Sequence, residues 1–87
     1  MTEKKKKDIR KLLGKHLSNH REKVLKIKSV RQLALTSNLD YSKIIKIEKG
    51  MTDIRFDTII ELAVTYKMTP KTLFSFPIEF WKKKAKG

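Results

Sequence analysis

The sequence contains no cysteine, only two histidines and only nine acidic residues among its 87. Without cysteine the chain can form neither a disulfide nor a cysteine-ligated metal site. Two histidines cannot by themselves complete a four-ligand structural zinc site. A chain of this length is near the lower limit for one hydrophobic core, so stability must come from packed helices, with or without a second subunit.

Catalytic patterns are also missing. Glycine occurs only three times, and the sequence has neither a Ser/His/Asp arrangement nor a P-loop. His16 and His20 have a helical spacing that can hold a metal, but no third ligand lies near them in the sequence. We expect both histidines to have packing or DNA-edge roles, and we expect no enzymatic activity, no metal and no cofactor.

No apolar run approaches the roughly 20 residues that a membrane-spanning helix requires. The basic start of the chain, residues 1–7, is followed by charged residues where a secretion signal would have an apolar segment. We therefore expect a cytoplasmic protein that contacts no membrane.

Positive charge is the feature present in excess. Lys and Arg number 22, giving a formal net charge of +13. The surface potential of so basic a chain favours a polyanionic partner: nucleic acid, an anionic membrane surface or an acidic protein. A purely solubilising role for the lysines is the alternative.

Apolar spacing predicts an all-α chain of five short helices. A flexible basic arm over residues 1–7, which lack apolar content, precedes the first helix, and this helix frays between Lys23 and Lys28. A helical domain then covers 8–76, and a basic C-terminal tail covers 77–87. The apolar stripe of the first helix comprises Ile9, Leu12, Leu13, His16, Leu17 and His20.

Capping residues predict the other boundaries. Ser29, three residues before Gln32, forms a capping box at the start of the second helix. Asn38 lies in the following turn and can adopt a positive φ. Asp40 is a suitable N-cap for the third helix, which Gly50 ends. The fourth and fifth helices are indicated, respectively, by Phe56, Ile59, Ile60, Leu62, Ala63 and Tyr66, and by Thr69 and Pro70.

The third helix, Tyr41 to Lys49, separates two kinds of side chain at roughly 100° per residue. Ile44 and Ile47 lie on one side, with Glu48 beside them. A solvated surface helix usually mixes charges of both signs, whereas the opposite side here carries no acid, which favours insertion into a major groove about 12 Å wide. That opposite side carries Ser42, Lys46 and Lys49, flanked by Tyr41, Lys43 and Ile45.

Residues 33–50, LALTSNLDYSKIIKIEKG, resemble the helix-turn-helix of the XRE or lambda-repressor-like family, which typically reads L-A-x-x-x-G-(V)-S-x-x-x-I-S-x-I-E-x-G. Residues 13–21 are similar to the family's first helix, and 58–74 to its closing helices. The resemblance spans Ile9 to Phe76. It implies a five-helix lambda-repressor-like DNA-binding domain whose helix-turn-helix consists of helices 2 and 3.

The resemblance also implies roles for single residues. Where the family has a DNA-contacting glutamine this chain has Val30, so Arg31 is expected to take a phosphate contact instead. Tyr41 is an alternative phosphate ligand, and Ile45 either touches a thymine methyl or packs against a neighbour. The residues expected at base edges and at phosphates are, respectively, Tyr41, Ser42 and Lys46, and Lys43, Lys49, Thr52 and Arg55.

Arg21 and Glu48 resemble the family's structural ion pair between the first and third helices. The segment between Arg21 and Ser29 is longer than usual, which implies a longer first helix or loop. Removing one partner of such a pair leaves a buried charge unpaired, at a cost of ~3–5 kcal/mol.

The two ends of the chain leave alternatives open. The run Lys4 to Lys7 either wraps around a duplex or only keeps the chain in solution. Apolar tail residues either close the core over the first helix or pair with a second copy: Phe76, Ile78, Phe80 and Trp81. We expect a homodimer, since two half-sites of an operator lie about 34 Å apart.

The sequence thus predicts a sequence-specific regulator of transcription, a repressor, whose third helix reads double-stranded DNA. One alternative is an antitoxin of the same fold that binds a toxin protein. Another is an architectural or RNA-binding protein without sequence preference.

Overall fold

The computed structural model describes residues 1–78 and is all-helical, as predicted. No strand occurs in that range. None of the helices within it is both long and apolar enough to cross a membrane. The elements are α1 (Glu3–Asn19), a π-helical segment (His20–Val24) that continues it, α2 (Val30–Ala34), α3 (Tyr41–Glu48), α4 (Phe56–Thr65) and α5 (Pro70–Leu73).

The first helix begins earlier than the sequence suggested. The expected flexible arm over residues 1–7 is wrong, because α1 starts at Glu3. The Thr2 side chain caps it by accepting a hydrogen bond from the Lys5 amide at 3.2 Å. Glu3 lies in the first turn, where a negative charge is favourable, and its carboxylate is 3.5 Å from the Lys6 ammonium.

The first helix ends within the range where fraying was expected, Lys23 to Lys28. Helical structure continues as the π-helical segment to Val24. The chain then reverses at Lys26, which has a φ of 60°. The amide of Ile27 donates to the Arg21 carbonyl at 2.9 Å, so the reversal is closed by a backbone hydrogen bond.

α1 crosses the end of α3 at very short range. A Cβ atom on Gly14 would collide with the Glu48 carbonyl, so only glycine allows this approach. The predicted stripe is confirmed at Leu13 and Leu17, which are buried, whereas Leu12 is exposed. The ~1 kcal/mol that glycine costs inside a helix is thus explained by a contact between helices.

The predicted caps are present. Side-chain oxygens of Ser29, Asp40 and Thr69 accept hydrogen bonds from amides three residues later, at 3.1, 2.7 and 3.1 Å. Gly50 follows α3 with a φ of 69°, and the amide after it donates to the Lys46 carbonyl at 2.9 Å. This is a Schellman ending, in which glycine supplies the left-handed conformation.

The turn between α2 and α3 differs from expectation. Asn38 does not have a positive φ. Among the described non-glycine residues, Lys26 and Lys67 have this conformation. The turn is closed instead by the Ser37 hydroxyl, which accepts from the Leu39 amide at 2.9 Å and is hydrogen-bonded to Thr65 at 2.8 Å. The side-chain amide of Asn38 donates to the Glu61 carboxylate at 3.3 Å, so α4 supports the turn.

The end of the described chain closes the core. Phe76 and Ile78 are buried in it, which decides for these two residues between core closure and pairing with a second copy. Phe80 and Trp81, and most of the predicted tail over 77–87, lie outside the described residues. The buried core comprises Leu13, Leu17, Leu33, Leu39, Ile44, Ile47, Leu62, Ala63, Tyr66, Met68, Leu73, Phe76 and Ile78.

Candidate nucleic-acid interface

The inner side of α3 is fixed in the protein. Ile44 and Ile47 are buried, as the helical projection predicts. The expected ion pair is present: the Arg21 Nε and Nη2 groups donate to the two Glu48 carboxylate oxygens, both at 3.0 Å. Both side chains are only 8% exposed, so this is a desolvated, two-point contact between α3 and the end of the first helix.

The ion pair belongs to a larger network that the sequence did not reveal. The Tyr66 hydroxyl donates to Glu48 Oε2 at 2.6 Å. The remaining Arg21 nitrogen donates to the carbonyls of Ile27 and Lys28, at 3.0 and 2.8 Å. Burial, together with the hydrogen bond to Glu48, raises the pKa of the Tyr66 hydroxyl above its ordinary value. The hydrogen bond to Glu48 likewise raises the pKa of Arg21.

The outer face of α3 is open to solvent. We use this name for its exposed polar residues, which include all three that were expected at base edges: Tyr41, Ser42, Lys43, Lys46 and Lys49. Ile45 is half-buried on the same side. Since the ion pair and the isoleucines hold the opposite side, α3 cannot rotate these groups inward without breaking the core.

A shallow cleft of about 260 Å³ lies along this face. It brings together Ser42, Lys43, Lys46 and Thr52, four residues that the sequence assigned to DNA. Asp40 also lines it, but its carboxylate caps α3 by accepting from the Lys43 amide. The cleft therefore presents two ammonium groups and two hydroxyls, the donors that suit phosphates and base edges.

The other predicted DNA contacts lie around this cleft. The guanidinium of Arg31 is 4.5 Å from the centre of the Tyr41 ring, a cation–π contact that joins the starts of α2 and α3. Lys49 lies at the other end of α3, beside α1. Arg55 is exposed at the N-cap of α4 and lines neither that cleft nor the one beside Lys49.

The histidines have structural partners. His16 Nε2 donates to the Thr72 carbonyl at 2.8 Å, and His20 Nε2 donates to the Tyr66 carbonyl at 2.9 Å. A carbonyl can only accept, so the proton lies on Nε2 in both rings. They join the first helix to α4 and α5. Within residues 1–78 no group of acidic, histidine or cysteine side chains is placed to hold a metal ion.

α4 presents a second unusual surface. Phe56, Ile60 and Val64 recur every four residues and are 73, 46 and 69% exposed. Beside them lie Glu61, which accepts a hydrogen bond from Asn38 of the α2–α3 turn, and Asp57, one helical turn before Glu61. We call these five residues the outer face of α4. This face is apolar and acidic, although the chain as a whole is strongly positive. A helical projection of the sequence would have separated these residues from the buried side of α4, which contains Leu62.

Comparison with family models, with curated protein sequences and with solved structures found no match to this chain. The functional interpretation therefore depends on the residues and their geometry.

Proposed function

We propose that this protein is a sequence-specific double-stranded DNA-binding regulator of transcription, acting as a repressor. In this proposal the domain is lambda-repressor-like, α2 and α3 form its helix-turn-helix, and α3 inserts into the major groove of a palindromic operator. One observation carries the proposal: α3 exposes cations and hydrogen-bonding groups on one side while its other side is held by a buried ion pair.

Base reading is assigned to the middle of α3. Ser42 and Lys46 line the same cleft, one helical turn apart. A lysine ammonium donates to guanine O6 and N7, and a good base contact discriminates by ~1–3 kcal/mol. Ser42 accepts or donates, and so tolerates several bases. Tyr41, half-covered by Arg31, reaches a base edge or a phosphate at the start of the helix.

Phosphate binding is assigned to the rim of the same face. Lys43 and Thr52 border the cleft, and Arg31 and Lys49 extend the positive surface at the two ends of α3. Arg55 is exposed in the segment after α3, and we expect it to contact the DNA backbone farther from the cleft. These contacts fix the position of α3 in the groove but do not read sequence.

A palindromic operator calls for two copies of the chain, and we assign their contact to the outer face of α4. Phe76 and Ile78 are buried in the core of their own molecule, so they do not supply the contact with a second copy. Phe56, Ile60 and Val64 remain exposed and form an apolar surface that a second copy would cover. A two-fold contact would use this patch on both chains.

The second candidate function is that of an antitoxin, and the same α4 face favours it. An apolar stripe flanked by carboxylates suits a basic toxin protein as well as a second copy. Measuring the mass of the purified protein in solution separates the two: a dimer whose contact depends on Ile60 supports the regulator. A monomer that dimerises neither alone nor on DNA favours the antitoxin.

The experiment that tests the proposal is selection of binding sites from random duplexes, followed by competition with nonspecific DNA at physiological salt. We expect a palindromic sequence whose half-sites are centred about one helical turn apart, bound at least 10³-fold more tightly than random DNA. Enrichment of no sequence, with equal affinity for all duplexes or for RNA, would contradict the proposal and indicate an architectural or RNA-binding protein.

A further inference from the structure

A second basic cleft lies where α1 meets the end of α3. A Cβ atom on Gly50 would lie 2.6 Å from the Lys11 Cα, so the two backbones touch there. The approach carries three cations of α1 to the side of Lys49. We call this site, of about 310 Å³, the Lys11 cleft; it is lined by Lys7, Arg10, Lys11, Lys49, Gly50 and Met51.

The Lys11 cleft has two features that favour binding of an anion. All four charged residues that line it are positive, and no carboxylate is among its lining residues. The Arg10 Nε group is buried yet has no hydrogen-bond partner, the single such side-chain atom in residues 1–78. A buried N–H that has lost water and gained no acceptor is unfavourable, and like charges in one cleft repel. An anion bound there would relieve the repulsion between the four cations, and its charge would also attract the Arg10 guanidinium.

We propose that the Lys11 cleft binds a phosphate group. Ammonium and guanidinium donors around a small cleft suit the tetrahedral oxygens of a phosphate, and arginine in particular presents several N–H groups to them. The exposed ends of Lys7, Lys11 and Lys49 remain open to solvent, so a phosphate that is part of a larger molecule can enter.

The identity of that molecule rests on the proposed function. Lys49 belongs both to the Lys11 cleft and to the outer face of α3, so the two sites are continuous. A duplex whose groove holds α3 passes a backbone phosphate beside the end of that helix. We assign the cleft to this phosphate, so that α1 contacts the DNA backbone in addition to α3.

The test compares salt dependence in matched variants. The Lys7→Gln/Lys11→Gln double variant removes two cations of the cleft. The Lys15→Gln/Lys23→Gln variant removes two exposed cations that do not line it. Each phosphate contact contributes about −0.9 to the slope of log K against log salt concentration. With the selected duplex, we expect the cleft variant to flatten the slope by about one unit, and the control by less than half as much. Circular dichroism confirms that both fold.

A titration with tripolyphosphate tests the cleft apart from DNA. We expect the amide resonances of Gly50 and Met51 to shift in the wild type and in the control, and to stay still in the cleft variant. If the wild type binds no duplex, the proposed function fails, while these shifts still support the phosphate site. Shifts combined with equal salt slopes identify a free phosphate ester as ligand and exclude the duplex. Equal slopes without shifts overturn the site.

Discussion

α3 and α4 are both amphipathic helices with a buried side and an exposed side, yet their exposed sides are opposite in chemistry. The outer face of α3 carries three lysines, a serine and a tyrosine. The outer face of α4 carries three large apolar residues and two acids, and α4 contains neither lysine nor arginine. Burial of the inner sides stabilises the fold in both cases, so the difference cannot be a requirement of folding.

From this contrast we infer that the two faces suit different kinds of partner. Lysines gain by approaching a polyanion, whereas apolar side chains in water gain by contact with protein. Acids on α4 would repel a duplex, and lysines on α3 would not pack in a hydrophobic contact. Under the proposed function, one side of the molecule would bind nucleic acid and the other would bind protein.

The largest effect should come from releasing the inner side of α3. Glu48→Ala leaves Arg21 buried without its carboxylate and Tyr66 without its acceptor. We expect a loss of ~3–5 kcal/mol in unfolding free energy and an indirect loss of DNA binding. Urea unfolding measures it. The control is Glu22→Ala, which removes an exposed acid near the same site and should change stability by less than ~0.5 kcal/mol. Equal stability of the two variants would show that α3 is not held by this pair.

A change on the outer face of α3 should separate binding from stability. Lys46→Ala removes an exposed ammonium from the cleft along α3 that Ser42 also lines. We expect the binding free energy for the operator to weaken by ~1–3 kcal/mol, while the melting temperature is unchanged. Fluorescence anisotropy with the selected duplex measures the loss. Lys23→Ala, an exposed lysine away from α3, is the matched control. If both variants bind equally well, the face contributes only general charge.

The outer face of α4 should respond in the opposite way. Ile60→Ser shortens an exposed apolar side chain, and we expect it to weaken self-association about tenfold, since a two-fold contact contains the change twice. Sedimentation equilibrium measures the dimer, and the folded monomer should retain its helicity. Val24→Ser, at another exposed apolar residue, serves as control. Unchanged association in the Ile60 variant would remove α4 from the dimer contact.

Much of this division is readable in the sequence, because short-range chemistry decides it. Ser29 and Asp40 begin helices, and Gly50 ends one, through contacts within a few residues. The projection of α3 also separates Ile44 from Lys46 correctly. The early start of α1 was also readable, since a threonine just before an acidic residue is a cap signal.

The rest depends on contacts between residues distant in the chain. Gly14 and Gly50 let α1 approach α3 closely, and that crossing angle alone brings Lys11 to Lys49. Tyr66 joins the ion pair only because α4 ends beside Glu48. Neither spacing nor composition specifies how two helices cross, so the second cleft and the hydroxyl of the network were not predictable.

The smallest effect concerns the hydrogen bond between Tyr66, at the end of α4, and Glu48 of α3. Tyr66→Phe removes the hydroxyl at the end of α4 that donates to Glu48 of α3, and we expect a loss of about 1 kcal/mol between pH 6 and 9. Because the folded protein raises the pKa of Tyr66 above the unfolded value of about 10, this contribution is complete below pH ~10. It declines as pH rises further, since the unfolded chain then releases the proton first. Urea unfolding at several pH values should therefore show the difference between variant and wild type narrowing above pH 10, while lysine titration cancels between them. A constant difference would mean that the Tyr66 hydroxyl has the same pKa in the folded and unfolded states, which would contradict its burial beside Glu48.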